Sequence, residues 1–160
     1  MKIGQSTDIH PLISGRPLVL GAVNIPYHLG LLGHSDADVL VHAITEAIIG
    51  ALGLGDLGTH FPDDQKQYKD VSSLVLLEKV VPLMKKEGYH IGNIDSLVMI
   101  EKPKLAPYIA EMRENIAKTL GCPMGVVNIK ATGAEGLGFV GSEEGVIATA
   151  IVLLKGNEYE

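Results

Sequence analysis

Aspartate and histidine side chains are concentrated in two short stretches near the start of this chain. Asp8 and His10 are separated by one residue, and residues 34–38 read His-Ser-Asp-Ala-Asp, with His42 four residues further on. Carboxylates and imidazoles are ligands that Zn²⁺ accepts, and a catalytic zinc site uses three protein ligands with one position left open. The pattern therefore predicts a metal site formed by Asp8, His10 and His42.

The spacing of Asp8 and His10 suits a β-strand. Side chains at positions i and i+2 point to the same face, so both can bind one ion at the end of a strand over residues 1–8. His42 would then approach from a facing helix. A plainer interpretation stays open, because Asp-x-His pairs are common and a single helical histidine often only packs or caps.

His34 and Ser35 predict a phosphate-binding element beside the metal. They precede a helix predicted over residues 36–51, and the free N–H groups at a helix N-terminus attract anions. In the alternative, Ser35 is only a helix cap, paired with Asp38 as a capping box. Asp36 and Asp38 are interpreted as first-turn carboxylates favoured by the helix dipole rather than as metal ligands.

Two further glutamates have possible roles near ligands. Glu135 is the one carboxylate in the glycine-rich residues 130–139, and Mg²⁺ is typically held by one or two carboxylates plus phosphate oxygens. Glu46 follows His42 by one helical turn, where it either orients the imidazole or lies on a solvated face. Surface or packing roles are predicted for the remaining histidines, His28, His60 and His90.

The hydrophobic pattern indicates the elements that must position these residues. The predicted order is β-β-β-α-α-β-α-β-β, typical of an α/β (α+β) sandwich with a mixed sheet covered by helices on one face. We predict one domain over residues 1–155, a C-terminal tail at 156–160, and a glycine-rich site loop at 53–64. The predicted strands are residues 1–8, 17–26 (a pair broken at Gly21), 93–100, 126–131 and 146–154; the predicted helices are 36–51, 71–87 and 107–120.

Composition narrows the classes of function. A net charge of −6 over 160 residues and a pI near 5.5 provide no basic surface for nucleic acid or an anionic membrane. The single Cys122 excludes an internal disulfide and a cysteine-based zinc cage. No apolar signal core follows Met1 and no apolar run is long enough to span a bilayer, so we expect a cytoplasmic protein.

Five blocks in order resemble one family over almost the whole chain, the 2-C-methyl-D-erythritol 2,4-cyclodiphosphate synthases of the non-mevalonate isoprenoid pathway. The blocks are Asp8-x-His10; residues 33–38 (Gly-His-Ser-Asp-Ala-Asp) with His42; Gly55-Asp56-Leu57-Gly58 with Phe61-Pro62-Asp63; Pro103-Lys104; and Lys130-Ala131-Thr132 with Glu135 and Leu137-Gly138-Phe139.

The resemblance implies a lyase that cyclises 4-diphosphocytidyl-2-C-methyl-D-erythritol 2-phosphate and releases CMP. It implies a homotrimer with active sites between subunits, zinc on Asp8, His10 and His42, and a second ion, Mg²⁺ or Mn²⁺, associated with Glu135. Catalysis is assigned to His34, Thr132 and Glu135. Substrate binding is assigned to Asp8, His10, His34, Ser35, Asp56, Gly58, Phe61, Asp63, Gln65, Ile100, Lys104, Leu105, Ala106, Ala131, Thr132, Glu135 and Phe139.

One departure from the family pattern lies in the last block, where Gly133 replaces a usual threonine. We expect a left-handed backbone at Gly133, with its N–H replacing the missing hydroxyl. Two other functions stay open: a zinc-dependent phosphoesterase that releases inorganic phosphate, and a non-catalytic trimer that binds metal or nucleotide. Turnover of the cytidylated substrate separates these three interpretations.

Overall fold

The computed structural model describes residues 1–62 and 64–157. Its strands are β1 (Lys2–Ser14), β2 (Leu18–Leu20), β3 (Val23–Ile25), β4 (Leu29–Leu31), β5 (Tyr89–Met99), β6 (Val127–Thr132) and β7 (Gly145–Gly156). Its α-helices are α1 (Val39–Leu52), α2 (Leu57–His60), α3 (Ser73–Lys86), α4 (Ile109–Leu120) and α5 (Gly138–Gly141).

The main sheet is mixed and has the order β4-β1-β7-β5-β6, with only β5 and β6 parallel. β2 and β3 form a separate two-stranded ribbon. Helices α1, α3 and α4 pack together on one face of the main sheet. Alternate residues of β7, from Val146 to Leu154, are buried beneath them, as the two-residue period of a strand requires. The predicted sandwich with helices on one face is confirmed.

Helix α1 forms the centre of the core. Twelve of its 14 residues are buried, so it lies between the sheet and the other helices rather than at the surface. It approaches β1 closely at Gly4, where an added Cβ would lie 1.8 Å from the carbonyl oxygen of Ala47. Glycine is therefore required at this position, and the close packing brings His42 of α1 near the side chains of Asp8 and His10.

The start of α1 differs from the prediction. The helix begins at Val39, not at residue 36, because Asp38 is the N-cap and accepts a 3.1 Å bond from the Val41 N–H. Its carboxylate also accepts hydrogen bonds from the backbone N–H groups of Gly21 and Ala22, which ties the β2–β3 turn to the helix. Complete burial, assisted by the nearby Asp36 charge, raises the pKa of Asp38 to about 6. The predicted capping box headed by Ser35 is wrong.

Tertiary pairing moves several other boundaries. β1 continues beyond the metal-ligand pair to Ser14, since it pairs first with β7 and then with the unpredicted strand β4. The predicted loop at residues 53–64 contains the four-residue helix α2, and α5 was also missed. The predicted ends of β5, β6, β7, α3 and α4 lie within a few residues of those observed.

β7 extends to Gly156, which pairs with Tyr89, and residues 158–160 lie outside the described part of the chain. None of the helices in the described ranges is long and apolar enough to cross a membrane.

Candidate metal and phosphate site

Asp8, His10 and His42 lie together and can hold a metal ion. Their candidate ligand atoms all lie within 4.8 Å of one another. The Oδ2 atom of Asp8 is 3.0 Å from His10 Nε2 and 3.2 Å from His42 Nδ1, and those two nitrogens are 3.3 Å apart. The predicted convergence of a strand pair with a helical histidine is confirmed. Two imidazoles and one carboxylate form a donor set that Zn²⁺ accepts.

The ring of His10 is fixed in the orientation that a metal ligand needs. Its Nδ1 donates a 2.7 Å hydrogen bond to the carbonyl oxygen of Leu32, which leaves the lone pair of Nε2 directed at Asp8 and His42. Gly33 makes room for this ring, because an added Cβ would lie 2.9 Å from His10 Cε1 and 2.8 Å from the Ala37 Cβ.

His42 is fixed from its far side by two serines. Its Nε2 lies 3.0 Å from Ser35 Oγ and 2.8 Å from Ser73 Oγ, while Nδ1 faces the other two ligands. Its side chain is 9% exposed, so water cannot readily replace these partners. The hypothesis that Glu46 orients His42 is wrong.

Glu46 instead joins β1 to the loop beyond α1. Its carboxylate accepts hydrogen bonds from the Ser6 hydroxyl and, at 3.2 Å, from the Leu57 N–H. The helical period places Glu46 one turn from His42, but the carboxylate extends away from the imidazole toward α2. Periodicity gave the correct face of the helix and could not give the direction of a long side chain.

Contacts within the ligand cluster shift the pKa values of Asp8 and His10. Burial acts to raise the pKa of Asp8, but hydrogen bonds and charge from His10 and His42 outweigh it and lower that pKa. Burial acts to lower the pKa of His10, but its interaction with Asp8 outweighs this effect and raises the pKa. The raised pKa of His10 favours a proton where a cation would bind, so a metal ion would compete with that proton.

A cavity of about 270 Å³ opens beside the three ligands; we call it the metal cavity. His34 and Ser35 lie in its wall, as predicted, but not at a free helix N-terminus, because Asp38 already caps α1. Ser35 Oγ accepts a 3.2 Å bond from the Ala37 N–H and keeps its own proton for another acceptor. The cavity is lined by Asp8, His10, Gly33, His34, Ser35, His42, Leu57, Gly58, Phe61, Tyr68 and Leu76.

The residues assigned to the loop after α1 fall into two groups. Gly58 and Phe61 line the metal cavity. Asp56 is exposed and caps α2 through bonds to the N–H and hydroxyl of Thr59, which lower its pKa. Gln65 is exposed, and its carbonyl oxygen lies 3.2 Å from His34 Nε2. Asp63 lies outside the described residues.

A second, smaller cavity of about 50 Å³ lies where β5 and β6 end; we call it the Lys104 pocket. It is lined by Ile100, Pro103, Lys104, Leu105, Ala131, Thr132 and Gly133. Ala106 begins a short 3₁₀ turn directly after it. Glu135 and Phe139 are exposed and line neither cavity. The structure thus brings five of the residues assigned to substrate binding together in this pocket: Ile100, Lys104, Leu105, Ala131 and Thr132.

The two cavities are far apart within one chain. Thr132 pairs with Met99, which is level with Ile147 and then with Ile9, so three strand spacings, about 14 Å, separate Thr132 from β1. Because side chains alternate, Asp8 and His10 point to the helix-covered face and Thr132 points to the other. The Thr132 side chain is therefore separated from the metal-ligand side chains both along the sheet and across it.

The predicted backbone at Gly133 is wrong. Gly136 and Gly138 have φ values of 75° and 64°, and Glu135 has φ 54°, but Gly133 is not in the left-handed region. An added Cβ at Gly133 would meet only Glu101 Oε2, at 3.5 Å. The positive φ values that the glycine-rich composition suggested occur two to five residues later, so composition located the turn but not its residues.

Sequence reasoning missed Ser73, Tyr68 and Leu76, which contact His42 or line the metal cavity. No local motif marks them, since Ser73 and Leu76 reach the site through the packing of α3 on α1, and Tyr68 lies in a 3₁₀ turn before α3. The three histidines assigned elsewhere do lie outside the metal cluster: His28 packs on Tyr27, His60 bonds the Leu54 carbonyl and His90 bonds Asn157.

Comparisons with known proteins agree over the full chain. A family model described as the YgbB family matches residues 1–155. A curated relative from Geobacillus sp. (strain WCH70), a 2-C-methyl-D-erythritol 2,4-cyclodiphosphate synthase, is 53% identical over 154 residues, which are 96% of this chain and 98% of that protein.

Solved structures show the same fold. The bifunctional IspDF of Campylobacter jejuni matches with a TM-score of 0.93 and 41% identity over 97% of this chain, which spans only 42% of that longer protein. A 2-C-methyl-D-erythritol 2,4-cyclodiphosphate synthase with bound CDP matches with a TM-score of 0.88 and 32% identity, over 96% of this chain and all of that one.

Proposed function

Because the chain belongs to the YgbB family, we propose that it converts 4-diphosphocytidyl-2-C-methyl-D-erythritol 2-phosphate to 2-C-methyl-D-erythritol 2,4-cyclodiphosphate with release of CMP. It is a lyase of isoprenoid precursor biosynthesis. The observation that carries this assignment is the cluster of Asp8, His10 and His42 at the wall of a cavity that also contains His34 and Ser35.

The reaction needs little acid–base chemistry from the protein. An oxygen of the substrate's 2-phosphate attacks the β-phosphorus of its own diphosphate; a new P–O bond forms, and the P–O bond to CMP breaks with its electron pair leaving on CMP. The nucleophile is already an anion. The protein must fold the substrate onto itself, reduce repulsion between phosphates and stabilise the departing charge.

Zn²⁺ is the proposed ion for Asp8, His10 and His42, because two imidazoles, one carboxylate and an open cavity side fit its preferences. When bound, it supplies a Lewis acid that polarises a phosphate oxygen. Around it, the His34 side chain and the Ser35 hydroxyl line the cavity and are proposed to donate hydrogen bonds to the phosphate on the erythritol side.

A second cation, Mg²⁺ or Mn²⁺, is proposed at Glu135. This carboxylate is exposed and has no ligand cluster around it among the described residues, so substrate phosphates must complete the coordination. Thr132 and Ala131, which line the Lys104 pocket, are proposed to hold those phosphates. Ile100, Lys104, Leu105 and Ala106 would bind the cytidine side, a proposal that the CDP-bound relative supports.

A homotrimer is proposed, with each active site formed by the metal cavity of one chain and the Lys104 pocket of its neighbour. Two observations support it. The Thr132 side chain points away from the helix-covered sheet face to which Asp8 and His10 point, and the helix-free face exposes Ile3, Ile9 and Ile151, with 72%, 53% and 49% of each residue accessible. Burying such apolar side chains against another copy is favourable by about 25 cal/mol per Å².

The free Cys122 fits the cytoplasmic location proposed from the sequence.

A phosphorus NMR time course on the cytidylated substrate, with Zn²⁺ and Mg²⁺ present, tests the reaction. We expect CMP and the cyclic diphosphate to appear together in equal amounts. Release of inorganic phosphate would identify a phosphoesterase, and no turnover would leave a binding protein. A variant with His42→Ala serves as the control for traces of other enzymes in the preparation.

A further inference from the structure

Ser73, the first residue of α3, is completely buried against His42. Its hydroxyl donates to Asp36 Oδ1, and its backbone N–H donates to Asp36 Oδ2 at 3.0 Å. The same hydroxyl oxygen is 2.8 Å from His42 Nε2. Asp36, Ser73 and His42 therefore form a continuous hydrogen-bonded series that ends at the proposed metal site.

The direction of each hydrogen bond follows from counting protons. An ionised carboxylate only accepts, so the one hydroxyl proton of Ser73 is committed to Asp36. The Ser73 oxygen can then only accept from His42, which requires the proton of the imidazole to be on Nε2. The lone pair of Nδ1 is left facing Asp8 and His10.

This direction matters because Asp8 favours the opposite arrangement. Its Oδ2 atom is 3.2 Å from His42 Nδ1, and a carboxylate at that distance attracts a proton to Nδ1. A proton on Nδ1 would occupy the lone pair with which the imidazole binds a metal. Something must hold the proton on the other nitrogen in the metal-free protein.

Ser35 cannot set the direction. Its Oγ is 3.0 Å from His42 Nε2, but its proton has no fixed acceptor within the described part of the chain. The hydroxyl can rotate to donate to Nε2 as readily as it can accept from it. Ser73 differs because its proton is held by Asp36, so its oxygen must accept a hydrogen bond from His42 Nε2.

We propose that Ser73 and Asp36 are positioning residues that hold His42 in the Nε2–H tautomer and so keep Nδ1 ready for the metal. The inference rests on the proposed metal site. It adds Ser73, which neither the motifs nor the ligand cluster includes, and it gives the motif residue Asp36 a role that is not metal ligation. Partners of this kind are typically worth 10- to 100-fold in metal affinity.

The test compares Ser73→Ala with Ser72→Ala. Ser72 loses the same hydroxyl at the same helix end, but it is exposed and only accepts a 3.3 Å bond from the Leu74 N–H. Zinc dissociation constants are measured by competition with a chelator. We expect roughly 10- to 100-fold weaker zinc binding in Ser73→Ala and wild-type binding in Ser72→Ala.

A second readout separates tautomer control from general disturbance of the site. Nitrogen-15 NMR of the metal-free protein reports which nitrogen of the neutral His42 ring carries the proton. We expect Nε2–H in the wild type and a shift toward Nδ1–H in Ser73→Ala. An unchanged tautomer, or equal zinc loss in Ser72→Ala, would overturn the proposal.

Asp36→Asn tests whether Asp36 acts through Ser73. Its effect on zinc affinity should be smaller than that of Ser73→Ala and should nearly vanish once Ser73 is alanine. Additive losses of zinc affinity would contradict the hydrogen-bonded series. If Ser73→Ala does not fold, the zinc affinity of Asp36→Asn is the test. If the wild-type protein binds no zinc, the proposed metal site is wrong. If the wild type binds zinc and Ser73→Ala and Asp36→Asn bind it equally well, only the proposal for Ser73 and Asp36 is wrong.

Discussion

The metal cavity and the Lys104 pocket differ in how their side chains are held. In the metal cavity, Asp8, His10 and His42 are 28%, 17% and 9% exposed, and each has fixed hydrogen-bond partners. In the Lys104 pocket, Lys104 and Thr132 are exposed, and Lys104 makes no side-chain hydrogen bond within the described ranges. The first region is arranged before any ligand arrives, and the second is not.

This difference indicates a division of labour. Three ligands that must meet one ion have little tolerance for error, so the protein fixes them through buried neighbours. Exposed side chains that become ordered on binding can hold a flexible nucleotide diphosphate. A neighbouring chain can supply those side chains. Variants in which metal content and substrate affinity are measured separately therefore test this difference between the metal cavity and the Lys104 pocket.

The largest effect is expected from His10→Ala. Loss of one of three ligands should remove most of the zinc and lower the rate by roughly 10³-fold, which corresponds to several kcal/mol of transition-state stabilisation. Metal analysis and turnover are measured together. His90→Ala is the control, since His90 bonds only Asn157 at the far end of β5. Full zinc retention in His10→Ala would show that the cluster is not the metal site.

A smaller effect, on substrate affinity rather than on zinc content, is expected from Lys104→Ala. Loss of a charged donor to a phosphate should raise KM for the cytidylated substrate about 10-fold, while zinc content stays at the wild-type level. Steady-state kinetics and metal analysis give both values. Lys118→Ala, at the end of α4, removes a lysine outside both cavities and should change neither. Zinc loss in Lys104→Ala would contradict the separation of the two regions.

Glu135→Gln should change only the requirement for the second cation. Without the negative charge, we expect a several-fold higher Mg²⁺ or Mn²⁺ concentration for half-maximal rate, with zinc content unchanged. Titration of Mg²⁺ at fixed substrate is the measurement. An unaltered Mg²⁺ dependence would remove Glu135 from metal binding.

The smallest effect concerns the backbone near the Lys104 pocket. Gly133→Ala should leave the free energy of unfolding within about 0.5 kcal/mol of wild type, because the backbone is not left-handed and the added Cβ meets only Glu101. Gly136→Ala, at φ 75°, should cost about 1–2 kcal/mol. Denaturant unfolding compares the two, and a larger loss at Gly133 would restore the view that this glycine is required.

The strand-to-helix geometry of the metal ligands could be predicted because it depends on local periods: the two-residue period of a strand, which places Asp8 and His10 on one face, and a helix that contains His42. The one-face sandwich followed from element order. What could not be predicted depends on partners distant in sequence. Ser73 reaches His42 only through the packing of α3 on α1, and the direction of Glu46 depends on Ser6 and Leu57.

The start of α1 was missed for a related reason. Ser35 and Asp38 are both good caps, and the tie between Asp38 and the Gly21 and Ala22 N–H groups decides between them. That contact joins residues 16 to 17 positions apart, so no local motif contains it.

The central claim, that one active site combines the metal cavity of one chain with the Lys104 pocket of another, is tested most directly by co-expressing two variants and assaying them at substrate and Mg²⁺ concentrations so low that each variant alone is nearly inactive. One carries His10→Ala and the other carries Lys104→Ala with Glu135→Ala. In a cyclic trimer every mixed assembly contains one intact site, so equal co-expression should restore about a quarter of wild-type activity. Activity no greater than that of the two variants measured separately would contradict the shared site.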